Sequence, residues 1–164
     1  MNMLDVRRIL APVDLGPESE RVLAAAGEIA ATFHSEVVAL HVVQPVPPLP
    51  IAREAPPGST ASFNVPVYQS TLEEQAEGAM EDLAAGALPE RLDRALLVRT
   101  GRIAPTILDE CDRGEYDLVV VGCGEGDDLD SMLFGSIAQR VVENASAPVL
   151  VLRGKRETED EGKL

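Results

Sequence analysis

Five short apolar runs, separated by segments of helical period, limit what this chain can fold into. Glu36 to Val43 is nearly continuous in Val, Ala and Leu. That pattern belongs to a strand covered on both faces, and therefore to a parallel sheet packed between helices. Arg8 to Asp14, Arg94 to Arg99, Tyr116 to Val121 and Pro148 to Arg153 read as the other strands. From Pro17 to Phe33, Val22, Leu23, Ala26, Ile29 and Ala30 recur at helical spacing, and from Val67 to Gly86 so do Leu72, Ala76, Ala79, Met80 and Leu83. Arg102 to Arg113 and Gly135 to Asn144 read as two shorter helices. Pro17 and Pro105 fall near helix starts, where a missing N–H costs nothing. This alternation predicts an α/β fold: a doubly wound, five-stranded, mainly parallel sheet with helices on both faces. Ligands of such sheets bind outside the carboxyl ends of the strands, where the strand order reverses. With strands one and four as central neighbours, the loops after Asp14 and Gly122 meet there.

At 164 residues the chain is long enough for one domain, expected over residues 6–153. Residues 44–66 form a loop crowded with Pro45, Pro47, Pro48, Pro50, Pro56, Pro57 and Pro66. A connection this long inside a compact domain is expected to carry function or to move. The polar stretch 154–164 has no apolar period and is expected to fray.

The net charge of −14 comes from 28 acidic residues against 14 basic ones, of which only Lys155 and Lys163 are lysine. Such a surface repels phosphate backbones and anionic lipid, so nucleic acid and membrane surfaces are not expected partners. The longest apolar runs, such as Leu118 to Val121, are far too short to span a bilayer. Met1 to Asp5 lacks the pattern of a secretory signal, so the expected location is the cytoplasm. Acid excess with almost no lysine resembles proteins of salt-accumulating cells, while an arginine-biased genome is the competing explanation. Cys111 and Cys123 are too few for a disulfide framework and have no zinc-site neighbours, so reduced thiols are expected.

Chemistry concentrates after the fourth strand, where Gly122-Cys123-Gly124-Glu125-Gly126-Asp127-Asp128 is followed by Gly135-Ser136 at a helix start. Two readings stand. The backbone N–H groups and the Ser136 hydroxyl cradle a phosphate chain, or the glycines serve only the turns of a strand-to-helix connection. Against the first reading, Glu125, Asp127, Asp128 and Asp130 put negative charge where an anion would lie. Asp14 either accepts hydrogen bonds from a ribose or base, or is a loop-end carboxylate. His41, inside a strand and without a visible partner, is expected to be a packed core residue. Cys123 is not expected to do redox chemistry beside so many carboxylates. Asp127, Asp128 and Asp130 lack the other ligands of a calcium loop; a bridging Mg²⁺ shared by Asp127, Asp128 and a nucleotide is a weaker alternative.

Taken together, Ile9-Leu10-Ala11-Pro12-Val13-Asp14, Leu40-His41-Val42-Val43, Asp117-Leu118-Val119-Val120-Val121-Gly122, Gly135-Ser136 and Ala147-Pro148-Val149-Leu150-Val151 resemble the universal stress protein family. The resemblance runs in order from about Arg8 to Arg153. It implies a stress-response or signalling role, and a homodimer paired through the last strand, Pro148, Val149, Leu150, Val151 and Leu152. It also implies ATP as ligand: Pro12, Val13, Asp14 and Val42 would line the adenine and ribose pocket. Gly122, Cys123, Gly124, Glu125, Gly126, Asp127 and Asp128 would run along the phosphates. Ser136, Ile137 and Ala138 would bind them at the helix start, beside Gly135. Nucleotide-binding members carry a glycine where this chain has Glu125. A like charge about 4 Å from a phosphate oxygen costs roughly 1 kcal/mol in water and more in a shielded groove, whereas molar salt cuts the screening length to about 3 Å.

Two functions follow as expectations. The first is a nucleotide-binding stress module that is no enzyme, or at most a slow ATPase. The alternative is a member that has lost ATP and only docks a protein partner. An α/β-hydrolase would need a Gly-x-Ser-x-Gly elbow, and a Walker loop would need Gly-Lys-Ser or Gly-Lys-Thr; neither occurs. A phosphoreceiver domain shares the alternation, but should carry an acidic pair after strand one and an Asp ending strand three. Val13-Asp14 and Arg99-Thr100-Gly101 stand there instead.

Overall fold

The computed structural model describes residues 5–47, 65–123 and 135–153. Its elements run β1 (Arg8–Pro12), α1 (Ser19–Phe33), β2 (Glu36–Val43), α2 (Val65–Ala87), β3 (Arg94–Thr100), α3 (Ile103–Gly114), β4 (Leu118–Cys123), α4 (Ser136–Asn144) and β5 (Val149–Arg153). The five strands form one sheet in the order β3-β2-β1-β4-β5, and every neighbouring pair is parallel. The expected doubly wound α/β architecture is present.

Side-chain alternation along the strands explains why their sequences are apolar throughout. Ile9, Ala11, Val37, Ala39 and Val120 face one way, into a core shared with Val22, Leu23 and Ala26 of α1 and Met80 and Ala84 of α2. Leu10, Val38, Leu40, Val119 and Val121 face the other way, against Ile107 and Cys111 of α3 and Ala138 and Val141 of α4. The chain first steps from β1 to β2 to β3, then returns past them to β4 and β5. Right-handed crossovers in opposite directions place their helices on opposite faces, so the reversal of strand order at β1 creates the two-sided sandwich.

Tethers gather at the amino ends of the strands. Asp117 Oδ2 accepts the Arg7 and Arg8 N–H groups at 2.8 and 3.0 Å, tying the start of β1 to β4. The Arg8 guanidinium lies 4.8 Å from the Tyr116 ring centre, reaches Glu36 Oε2 at 2.8 Å through Nε and also donates to the Gly114 carbonyl. The β1–β4 ladder is short, with Ile9 opposite Leu118 and Leu10 opposite Val119. The β2–β3 ladder continues from Val37–Arg94 to Val43–Thr100.

Several boundaries differ from the sequence expectation. The first strand stops at Pro12, and Asp14 lies in the following turn. Proline has no N–H to extend the ladder, and although the Val13 N–H still reaches the Leu40 carbonyl at 2.8 Å, Leu15 then turns to φ 63°. The first helix begins at Ser19, two residues beyond Pro17. The second begins at Val65, so Val65 and Pro66 of the expected 44–66 loop are helical; Pro66 sits in the first turn, where no N–H is needed. Cys123 belongs to the end of β4 and not to the loop, being opposite Arg153 in the β4–β5 ladder. Pro148 precedes β5, though its carbonyl accepts the Val119 N–H at 2.8 Å. Residues 48–64 of the proline-rich loop, residues 124–134 and the tail 154–164 lie outside the described residues.

Candidate functional site

A cleft of about 560 Å³ opens above the carboxyl ends of β1, β2 and β4. It sits where the strand order reverses, the position such sheets reserve for ligands. Pro12, Val13 and Asp14 come from the turn after β1, Leu40, His41 and Val42 from β2, and Val121 and Gly122 from β4. Ile103 and Ile107 of α3 and Ile137 and Ala138 of α4 form an apolar wall, and Gly16, Pro17, Glu18, Ser19 and Val22 close the α1 side.

Asp14 is the polar centre. Its Oδ1 accepts the Gly16 N–H at 2.8 Å and the buried Ser19 hydroxyl at 2.9 Å, while the Gly16 carbonyl accepts the Ser19 N–H at 3.0 Å. An Asp that bonds the backbone two residues on makes a tight turn of its own side chain. One oxygen is thus spent on fixing the turn. The other, Oδ2, accepts no bond from any described residue, so the carboxylate is oriented at one end and open at the other. The second carboxylate of the lining, Glu18, is paired with Arg21 at 2.9 Å.

His41 departs from the expectation of a packed core residue. It is half-buried, lines the cleft, and its Nδ1 lies 2.9 Å from the Val13 carbonyl. A carbonyl only accepts, so Nδ1 carries the proton, which fixes the tautomer of the neutral ring. The ring thereby braces the turn that carries Asp14.

Gly122 has a packing requirement of its own. A Cβ there would lie 2.9 Å from Cγ2 of Val22, closer than carbon atoms approach. The residue therefore lets α1 press onto β4, and the phosphate reading is not needed to explain it. At the start of α4, Gly135 and Ser136 are exposed, and among the described residues no side chain caps the helix. Its first N–H groups consequently have no intrahelical acceptor.

Of the residues expected to form the site, the cleft gathers Pro12, Val13, Asp14, Val42, Gly122, Ile137 and Ala138. Gly135 and Ser136 stand just before it on the same helix, and half-buried Cys123 follows Gly122 without lining it. Gly124, Glu125, Gly126, Asp127 and Asp128 lie outside the described residues. Ile103, Ile107, Val22 and Ser19 were not anticipated. The α3 pair carried a signal: Ile103 and Ile107 are one helical turn apart and Ile103 follows the carboxyl end of β3.

The model of the universal stress protein family matches residues 5–153. The chain belongs to this family. A curated relative, universal stress protein A homolog 1 of Coxiella burnetii, is 26% identical over 150 residues, covering 89% of this chain and 95% of the relative. Solved universal stress proteins share the fold at lower identity. One, in complex with cAMP, superposes with a TM-score of 0.59 at 19% identity, covering 91% of this chain and 98% of that one. Another, from Arabidopsis thaliana with AMP bound, gives 0.59 at 15% identity, covering 94% and 97%. Among the described residues, no helix of this stress protein is long and apolar enough to cross a membrane.

Proposed function

We propose that this universal stress protein is a binding module for an adenine nucleotide, acting in stress response or signalling without substantial turnover. One observation carries the reading: the cleft at the strand reversal combines apolar walls with a single oriented, half-open carboxylate. Val42, Ile103, Ile107 and Val121 offer a slot for a flat base, and Asp14 Oδ2 an acceptor for a ribose hydroxyl. The first turn of α4, which brings Ile137 and Ala138 to the cleft and carries no side-chain cap among the described residues, offers N–H groups and a positive dipole end to a phosphate. The nucleotides bound by the two structural neighbours are of this chemical class.

ATP is the ligand the family pattern favours, and a Mg²⁺ shared between it and Asp127 and Asp128 is a weaker alternative. Glu125, standing at a motif glycine, favours a second reading in which nucleotide binding is lost and the protein only docks a partner. Calorimetry with AMP and ATP separates the two. Under the first, affinity for ATP rises with Mg²⁺ or salt and rises again in Glu125→Gly; absence of binding under every condition would leave the docking role. Heat-denaturing the purified protein and analysing released nucleotide gives an independent readout.

The proposal extends to a cytoplasmic homodimer. Among the described strands β5 pairs with β4 alone, and Leu150 is 38% exposed. A second copy could pair along that free edge, hiding backbone groups that otherwise face solvent.

A further inference from the structure

A second cleft, of about 310 Å³, lies beside the first, between the start of α3 and the flank of α4. Ile103 and Ile137 line both clefts and form the partition. Its charged lining residues are the exposed Arg102 and Arg140, and among the described residues no Asp or Glu lines it. In a chain with 28 acidic residues this is an unexpected local balance. Neither guanidinium has a carboxylate partner among the described residues. The nearest candidate on α4, Glu143, instead accepts the Gln139 side-chain amide at 2.8 Å. Glu110 of α3 accepts the Tyr116 hydroxyl at 2.9 Å and faces Arg99.

Two residues of the first turn of α3, Ile103 and Ala104, line the same cleft. Arg102 precedes α3 in an extended conformation, with no side-chain cap on the helix. The Gly101 N–H is taken by the Val43 carbonyl and the Thr106 N–H by that of Arg102, both at 3.0 Å. Pro105 has no N–H, leaving those of Ile103 and Ala104 without an acceptor among the described residues at the start of a 12-residue helix.

We propose that this cleft is an oxyanion site that takes a phosphoryl group. Two guanidinium groups with no competing carboxylate among the described residues suit a dianion, and Arg forks match phosphate oxygens bidentately. The phosphoryl group is either a free phosphate or pyrophosphate ion, or one carried by a nucleotide whose base occupies the neighbouring cleft.

The test is a titration of the full-length protein with inorganic pyrophosphate at low ionic strength, followed by amide NMR. Saturable shifts are expected at Ile103 and Ala104, with affinity falling about tenfold in Arg102→Gln and in Arg140→Gln, the loss of one charge-assisted contact. Arg102→Lys and Arg140→Lys, which keep the charge, should lose less, and they serve if a glutamine variant folds poorly. Asp14→Ala should leave pyrophosphate binding unchanged, so this site and the nucleotide cleft stand or fall separately. If the advantage of 5′-AMP over adenosine also falls in the arginine variants, the phosphate is the nucleotide's; if it does not, the free ion is the ligand. No saturable shift at millimolar pyrophosphate, or equal affinity in the wild type and both glutamine variants, overturns the proposal.

Discussion

Replacing Gly122 with alanine puts a methyl carbon 2.9 Å from Cγ2 of Val22, where carbon pairs settle at about 3.5–4.0 Å. Val22 is β-branched, 4% exposed and locked within the core between α1 and the sheet, so it cannot swing aside cheaply. Either its side chain leaves its rotamer or α1 lifts by about 0.6 Å or more. Overpacking of this kind costs about 1–3 kcal/mol, offset by about 0.4–1 kcal/mol from the stiffer unfolded chain. The expected net loss is about 1–2 kcal/mol, or roughly 2–8 °C in melting temperature. Val22→Ala alone removes two buried carbons and costs about 2 kcal/mol. The double variant should be more stable than the sum of the two losses by about 1 kcal/mol or more, because the clash disappears with the valine methyls. Urea denaturation of the four proteins measures the coupling directly. Strict additivity, or a Gly122→Ala protein as stable as the wild type, would refute the packing account and return this glycine to the phosphate reading alone.

Asp14→Asn keeps an oxygen for the Gly16 N–H and Ser19 hydroxyl, so it should fold normally; loss of the open carboxylate should weaken adenosine binding about tenfold by calorimetry. Burial, reinforced by Asp112 and Glu110, pushes the Cys111 thiol from 9.0 up to about 11. Its ionisation therefore opposes folding: this contribution is whole below pH 9 and is lost as pH rises towards about 11, a fall that Cys111→Ala should flatten in urea titrations. At pH 8 a thiol reagent should accordingly spare Cys111 until the protein unfolds. Arg8→Ala removes the Glu36 pair, the Gly114 contact and the stacking on Tyr116, and should cost about 2 kcal/mol without changing nucleotide affinity, since these contacts lie at the other end of the strands. Leu150→Lys, on the free edge of β5, should yield a monomer by sedimentation if the proposed dimer forms there.

The layering was legible because parallel strands buried on both faces leave an unmistakable run such as Glu36 to Val43, and amphipathic helices such as α1 declare their buried stripe. Boundaries were less so. Whether Val13 and Asp14 extend β1 depends on a turn closed by Ser19, five residues away, and no local propensity reports that contact. His41 looked partnerless because its partner is a backbone carbonyl, which any residue supplies and no sequence pattern marks. Gly122 drew attention for the right position and an incomplete reason, since the methyl it must avoid belongs to α1, distant in sequence. The α3 wall of the cleft was not legible because Ile103 and Ile107 serve the core stripe of α3 and the cleft wall alike. Arg102 and Arg140 could not be paired from sequence either, because they share a cleft only once α3 and α4 lie side by side.

The short ladder between β1 and β4 has a mechanical consequence. Those strands are stitched at Ile9–Leu118 and Leu10–Val119 and pinned below by Asp117, while the ladder runs no further towards the cleft. The sheet therefore resembles a book held at the foot of its spine, with β3, β2 and β1 as one cover and β4 and β5 as the other. A molecule seated between Asp14 and Val121 clasps both covers. Occupancy of the cleft would then be felt as stiffness along the whole spine, reaching the β5 edge without any residue there touching the ligand.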